Sequence, residues 1–575
     1  MGAVTELKSA YHPWVDNYPE GIDWHAEIDI TPVAERVLDV CARYPDLIAM
    51  DFMGRQTDYR EFGRMIEKLS AALQTQLGVS KGTRIALLLP NIPYYAFFYY
   101  AVLRAGGVVV NCSPLYSIDE LTQIIANAHA DIIVTLDLAQ LFKKAEQVAI
   151  TTGLSRIVLC PFAKALPFPQ SLLFPLVRRR EQARVSASTV ADRVIPYSRL
   201  MRSGGSFVPV PIDTAHDIAV QQYTGGTTGV PKGAMLTHAN ISANVSQTKL
   251  WALDAYRPKR KVIAVIPFFH VFSMTACLNN ALVNAMEIDM LPRYELKGTL
   301  DLIKRVQPDM IMAVPTLVHA VFGSERAKKM DLSSFELGIS GGAPLPQSVR
   351  EEFVNTTGGT LVEGYGLTEC APVVCCGPIR APAKDGSIGQ PLPGTDIRFC
   401  DVDEPDKEVA PGERGEIQVR GPQVMAGYFE DPAATRDSFI DGWLRTGDVG
   451  LMDEQGHVFL VDRIKDLIIS SGFNVYPRAI EAVLESHPEV DECNVIGVID
   501  DYRGEAPVAF VKLVKDSRVT DKELKSFLVG KISRVEMPRE IFFRDELPKT
   551  LVGKLSKKEL RADYARMKDQ SGGSS

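Results

Sequence analysis

The chain has 575 residues, 46% hydrophobic and 23% charged, with a formal net charge of −8. That length exceeds what one core usually organises, so at least two domains are expected. The negative balance argues against nucleic acid as a partner, because a phosphate backbone calls for a basic face.

No apolar run approaches the roughly 20 residues of a bilayer span. The opening MGAVTELKSAYHPW lacks the apolar centre of a secretory signal, and Glu6 stands where a myristoylation signal needs Ser or Thr. Nine cysteines are scattered without a C-x-x-C pair, and Cys375 and Cys376 are adjacent, which suits neither a structural disulfide nor zinc. Reduced thiols in the cytoplasm are the expectation.

Residues 1–30 are rich in aromatics and turn formers and are expected to lie across a larger body. Thr31 is placed to cap a helix from Pro32, with Val33, Val37 and Val40 on its apolar face. Residues 84–89 read as a buried strand, 92–105 as a helix stopped by Gly106-Gly107, and 108–110 as the next strand. Ser117 and Glu120 form a capping box before a helix, and a strand returns at 131–136. Strands alternating with helices predict a parallel α/β sheet. Residues 161–205 break the rhythm with several prolines, apolar residues and Arg178-Arg179-Arg180. They read either as a surface excursion with a solvated basic face or as a peripheral contact with the inner face of a membrane.

The stretch Tyr223 to His238, YTGGTTGVPKGAMLTH, packs Thr224-Gly225-Gly226-Thr227-Thr228-Gly229 ahead of Lys232. Glycines let backbone N–H groups turn toward one point, threonine hydroxyls add donors, and a lysine supplies a point charge, which together cradle phosphate oxygens. Gly233 follows the lysine, so this is not a Walker A loop, whose Ser or Thr holds magnesium. Its flanks read as strands, so the loop joins strand to strand. Further strands are expected at 261–266, running into Pro267 to Phe272, and at 309–314. Residues 338–345 turn from strand to helix, and 386–439 read as a small β-barrel. From Arg463 a second domain is expected, with a helix from Pro477, strands at 492–498 and 508–514, and a helix at 522–528. The predicted organisation is therefore α/β: a large domain, 1–462, of stacked sheets with a small barrel, and a small mobile α+β domain, 463–575. The SGGSS tail is too polar and Gly-rich to order itself.

The phosphate loop resembles that of the AMP-forming acyl-CoA synthetases, the adenylate-forming family. The usual spelling has Ser at the position of Gly225, and the Gly-Gly variant is most similar to bacterial long-chain fatty-acid–CoA ligases, which also carry a basic-apolar insertion near 161–205. The other signature blocks follow in order along nearly the whole chain. Val362-Glu363-Gly364-Tyr365-Gly366-Leu367-Thr368-Glu369 resembles the family's most diagnostic segment. The resemblance implies that Gly342, Ala343 and Pro344 sandwich adenine with Tyr365, that Thr368 contacts phosphate, and that Glu369 sits at Mg²⁺. One carboxylate with phosphates and waters is chemically sufficient for that ion. Thr446-Gly447-Asp448 and Arg463 match the residues that hold the ribose, Asp448 accepting from a diol. Lys554, after Gly553, matches the lysine that binds the carboxylate and α-phosphate.

By the same resemblance, His270 with Phe272 and Met274 lines the acyl entrance. No Trp gate follows His270 as it does in some relatives. Lys465 is the implied hinge, and Ser471, Gly472 and Phe473 face CoA. The implied reaction is attack of a medium- to long-chain fatty-acid carboxylate on the α-phosphorus of ATP, releasing pyrophosphate, then displacement of AMP by CoA. Aryl-CoA ligation and the loading of a carrier protein stay open as alternatives. A nucleotide-binding module without turnover is disfavoured by Lys554, Glu369 and Asp448 occurring together. Chain-length preference and a homodimeric state are left open.

Overall fold

The computed structural model describes residues 12–202, 205–224, 231–470, 473–500, 503–549 and 555–572. The chain divides into two compact units, Met1–Asp396 with Arg420–Gly442, and Ile397–Val419 with Trp443–Ser575.

The first unit is built on two sheets. In one, Ile218–Thr224, Val108–Cys112, Arg84–Leu88, Ile132–Leu136 and Arg156–Cys160 lie side by side and parallel. These strands are Val- and Ile-rich and almost wholly buried, as a parallel sheet covered on both faces requires. In the other, Ile48–Phe52, Glu287–Met290, Lys261–Ala264, Met310–Ala313, Leu337–Gly341 and Thr360–Gly366 run parallel in that order. The helix Pro93–Arg104 is apolar all round and buried from Pro93 to Leu103, the pattern of a helix enclosed on every side. The Tyr95 hydroxyl lies 2.7 Å from Asn111 of the first sheet and 2.9 Å from the Phe268 carbonyl beyond a strand of the second.

An acidic group is buried in the second sheet. Asp51 and Asp289 are register partners, and with Glu287 their carboxylates converge within 4.8 Å. Arg305 holds Asp51 through two contacts of 2.8 and 2.6 Å, and Lys261 stands 3.9 Å from Glu287. Neither oxygen of Asp289 has a hydrogen-bond partner among the described residues. Burial, reinforced by Glu287 and Asp51, pushes its carboxyl up to about 8. Three acids facing two cations leave one negative charge uncompensated, and a proton on Asp289 removes it.

The second unit opens with Asp396–Cys400, Gly415–Arg420, Trp443–Met452 and Val458–Arg463 in adjacent positions. Its α+β part pairs the long antiparallel strands Val490–Asp500 and Gly504–Leu513 and packs the helices Pro477–Glu485 and Asp521–Leu528 on an apolar cluster around Ile480, Leu484, Val495 and Leu524. The stretch expected as one barrel is thus divided. Ser387–Pro391 extends the first unit's sheet through Val373–Cys376, whereas the strands that follow join Trp443–Met452.

Thr31 does not cap the first helix. Helix Val33–Arg43 takes Pro32 as its N-cap and has no side-chain cap, which leaves Thr31 one residue ahead of the capping position, its N–H donating to Asp29 at 2.9 Å. The N-terminal aromatics do lie on the body, with Trp14 buried and the Trp24 indole donating to the Thr395 carbonyl at 3.2 Å. Residues 161–202 form short helices and the strand Val194–Pro196, and the helix Gln170–Val177 leaves Leu172 65% and Leu176 77% exposed beside Phe168 at 79%. No described helix is long and apolar enough to cross a membrane. All nine cysteines are free and buried, and burial pushes the Cys112 and Cys277 thiols up to about 12.

Candidate active site

The phosphate loop joins two strands that pair antiparallel as a hairpin. Ile218–Thr224 pairs with Lys232–Thr237, in register from Thr224 opposite Lys232. Gly225, Gly226, Thr227, Thr228 and Gly229 lie outside the described residues, so the hairpin fixes their two anchors, Thr224 and Lys232. The hairpin runs into helix His238–Ala252 through a capping box of Thr237 and Asn240. The Asn240 side-chain amide reaches on to the carbonyls of Pro422 and Val424 at 2.9 and 2.8 Å. That bond draws residues 422–429 alongside the hairpin.

Glu369 sits on the turn Thr368–Cys370, directly after strand Thr360–Gly366. Gly366 is obligatory there, since a Cβ would lie 2.1 Å from the Pro372 carbonyl oxygen. The same strand brings the adenine candidates together. Ser340 pairs with Glu363 and Gly341 with Gly364, so the loop of Gly342, Ala343 and Pro344 leaves the sheet beside Tyr365. The Glu363 carboxylate accepts from the Leu345 N–H at 3.2 Å and closes that loop from below.

Three side chains then converge. The Tyr428 hydroxyl donates to Glu369 Oε1 at 2.6 Å, and the Lys232 ammonium stands 5.3 Å from the centroid of the Tyr428 ring. Tyr428 is on the short strand Gly427–Tyr428, paired with Ala234 of the hairpin, and the Met425 N–H donates to the Glu369 carbonyl at 2.8 Å. Burial, and then the adjacent Glu369 charge, push the Tyr428 phenol above its usual range. The second carboxylate oxygen of Glu369 makes no hydrogen bond among the described residues. A half-buried carboxylate with one oxygen engaged and one open fits a hard cation that takes one carboxylate together with phosphate oxygens. Sequence reading missed Tyr428. Its only local signal is a Gly-Tyr pair, and its role comes from strand pairing with a distant segment.

His270 lies in the turn after strand Lys261–Ala264, where its Nδ1 accepts from the Phe272 N–H at 3.3 Å. Gln222 of the hairpin donates to the Phe269 carbonyl at 2.9 Å and accepts from Asn111 at 2.8 Å. The His270 turn and the phosphate hairpin are thereby joined through buried amides. Phe272 packs against the apolar core and close to Gly341, while Met274 is fully buried with its sulfur 3.4 Å from Asn111 Nδ2. Met274 also lies in a π-helical stretch, Ser273–Asn279, a geometry that recurs at functional sites.

The second unit holds the ribose candidates. Asp448 and Arg463 are register partners on Trp443–Met452 and Val458–Arg463, joined by a 3.0 Å ion pair. The buried Glu416, which the sequence did not mark, braces the turn by accepting from Arg445 at 2.9 Å and from the Gly447 N–H at 3.2 Å. Lys465 is exposed in the single turn Ile464–Asp466 that follows. Phe473 is 61% exposed on a short strand paired with Ile468–Ser470. Ser471, Gly472 and Lys554 lie outside the described residues. Lys549 is bridged to Leu555 and ion-paired to Glu492 at 2.6 Å.

Two family signatures match the chain, AMP-binding enzyme over residues 37–429 and AMP-binding enzyme C-terminal domain over 479–554. The chain is 39% identical over 549 residues to a long-chain-fatty-acid–CoA ligase of Bacillus subtilis (strain 168), covering 95% of this chain and 97% of that protein. It is 36% identical over 558 residues to a long-chain-fatty-acid–CoA ligase of Escherichia coli O157:H7, covering 96% and 98%. The fold is similar to ATP-bound MatB from Rhodopseudomonas palustris, with a TM-score of 0.79 at 29% identity over 92% of this chain and 99% of that one.

Proposed function

The chain belongs to the AMP-binding enzyme family, and from that premise we propose that it is a long-chain-fatty-acid–CoA ligase. It activates a fatty acid with ATP to an acyl-AMP, releasing pyrophosphate, and passes the acyl group to CoA, releasing AMP. The observation that carries this reading is the match along nearly the whole chain to two long-chain-fatty-acid–CoA ligases.

The chemistry explains the parts. A carboxylate is a poor electrophile because oxide is a hopeless leaving group. AMP is a good one, so the acyl oxygen first attacks the α-phosphorus. The burden on the protein is negative charge spread over phosphate oxygens in the transition state, which preorganised cations and N–H groups stabilise. Lys232 and the hairpin tip serve the phosphates, Thr368 the α-phosphate side, and Lys554 both the phosphate and the acyl carboxylate. Asp448 and Arg463 take the ribose, and Gly342, Ala343, Pro344 and Tyr365 the adenine. Glu369 would hold Mg²⁺, which when bound neutralises charge on the phosphate oxygens. His270, Phe272 and Met274 stand at the acyl entrance, Phe473 with Ser471 and Gly472 on the CoA side, and Lys465 is the hinge between the two half-reactions.

The exposed apolar helix Gln170–Val177, followed by the exposed Arg178, Arg179 and Arg180, supports a peripheral contact with an anionic membrane surface. A substrate dissolved in a bilayer would be met there.

The test is AMP formation from ATP across acids from acetate to oleate, with cinnamate included and CoA present or omitted. Long-chain acids should give pyrophosphate without CoA and AMP turnover only with it. A preference for cinnamate, or acyl-AMP that CoA does not consume, would overturn the assignment.

A further inference from the structure

Lys232 and Glu369 carry opposite charges and meet one side chain, Lys232 at the ring face and Glu369 at the hydroxyl, yet Lys232 makes no ion pair among the described residues and Glu369 bonds to the phenol. An ammonium and a carboxylate that meet one side chain have the alternative of pairing directly, because charge-assisted contacts are stronger than neutral ones. A collapsed pair would have little charge left for a phosphate or a cation. Tyr428 engages each of them instead. Its hydroxyl occupies one Glu369 oxygen and leaves the other open, and its face gives the Lys232 ammonium a resting place that does not neutralise it.

The ring is held firmly enough to act as such a spacer. The Tyr428 N–H donates to Thr435 Oγ1 at 2.9 Å, the flanking Phe429 N–H donates to the Gly233 carbonyl at 2.8 Å, and Asp431 caps the helix Pro432–Asp437. Gly427 permits that closure, since at its φ of +138° a Cβ would meet Thr435 Cγ2 at 2.8 Å.

We propose that Tyr428 is a positioning residue that keeps Lys232 and Glu369 apart and orients the Glu369 carboxylate for its metal. The inference rests on the reading of Glu369 as the metal ligand. Tyr428 acts through Glu369, in the way that partners behind a metal ligand fix its direction.

The decisive experiment titrates Mn²⁺ into protein saturated with ATP, read by electron paramagnetic resonance, for wild type, Tyr428→Phe, Glu369→Gln and the double variant. Tyr428→Phe keeps the ring under Lys232 and should weaken Mn²⁺ binding by about ten- to a hundred-fold with an unchanged Tm. In the Glu369→Gln background the same change should add nothing. Tyr428→Leu, which removes the ring as well, should also weaken ATP binding without metal, because Lys232 is then free to pair with Glu369. An unaltered Mn²⁺ midpoint in Tyr428→Phe, or equal losses with and without Glu369, would overturn the inference and leave the function standing. A wild type that binds no Mn²⁺ with ATP would overturn both.

Discussion

Lys554 is the residue on which the proposed mechanism separates most sharply. A lysine that meets the acyl carboxylate and the α-phosphate is needed while the acyl-AMP forms and has no task when a thiol displaces AMP. Lys554→Ala should therefore slow acyl-AMP formation by about a hundred- to a thousand-fold and leave CoA-dependent discharge of supplied acyl-AMP near the wild-type rate. Single-turnover assays of the two halves check this, and equal losses would count against it. Asp289 offers a test of a different kind. Its folded carboxyl is pushed up to about 8 by burial and by Glu287 and Asp51, with Lys261 and Arg305 opposing. The folded state therefore holds a proton that the unfolded chain releases near pH 4. The associated stability is fully present below that pH and is lost as pH rises toward 8. Asp289→Asn, neutral at every pH, should flatten the dependence between pH 4 and 8 and exceed wild type at pH 9 by on the order of a few kcal/mol. Parallel urea-denaturation curves across that range would show that Asp289 is ionised in the fold.

The helix Gln170–Val177 is the element whose sequence and surroundings disagree most. Its leucines would be core residues in an ordinary helix, but here Leu172, Leu173 and Leu176 are exposed. Leu172→Asp with Leu176→Asp should abolish cosedimentation with phosphatidylglycerol vesicles and leave turnover of a detergent-dispersed fatty acid within about two-fold, since surface changes of this sort leave a fold intact. Retained cosedimentation would assign the vesicle contact elsewhere. Elements of local origin were legible in the sequence. Ser117 with Glu120 is a complete capping box, as read. Helix Pro93–Arg104 ends ahead of Gly106-Gly107 as read. What escaped depends on pairing between distant strands. Asp51 and Asp289 share a face only because their strands are neighbours, and Tyr428 reaches Glu369 only because its two-residue strand joins the hairpin edge. Thr31 misled for a different reason, since the helix starts one residue later than read and puts Pro32 at the N-cap.

At the scale of the whole molecule, the proposed reaction asks one carbonyl carbon to meet first a nucleotide and then a thiol. A hinge at Lys465, in the turn Ile464–Asp466, supplies that change if its backbone dihedrals can swing, and proline fixes φ. Lys465→Pro should leave acyl-AMP formation within a few-fold and slow thioester formation by about a hundred-fold or more. An unimpaired second half-reaction would refute the hinge. The burial of every thiol has a consequence for observing such units separately. Seven cysteines belong to the first unit, and Cys400 and Cys493 to the second. A sulfur that meets solvent only when its surroundings open is alkylated at the rate of that opening. Intact-mass spectra of the native enzyme with iodoacetamide should thus stay at zero adducts, and in rising urea should pass through a two-adduct or seven-adduct species before nine. Which of these comes first tells which half of the molecule comes apart first, with no probe attached and no residue changed.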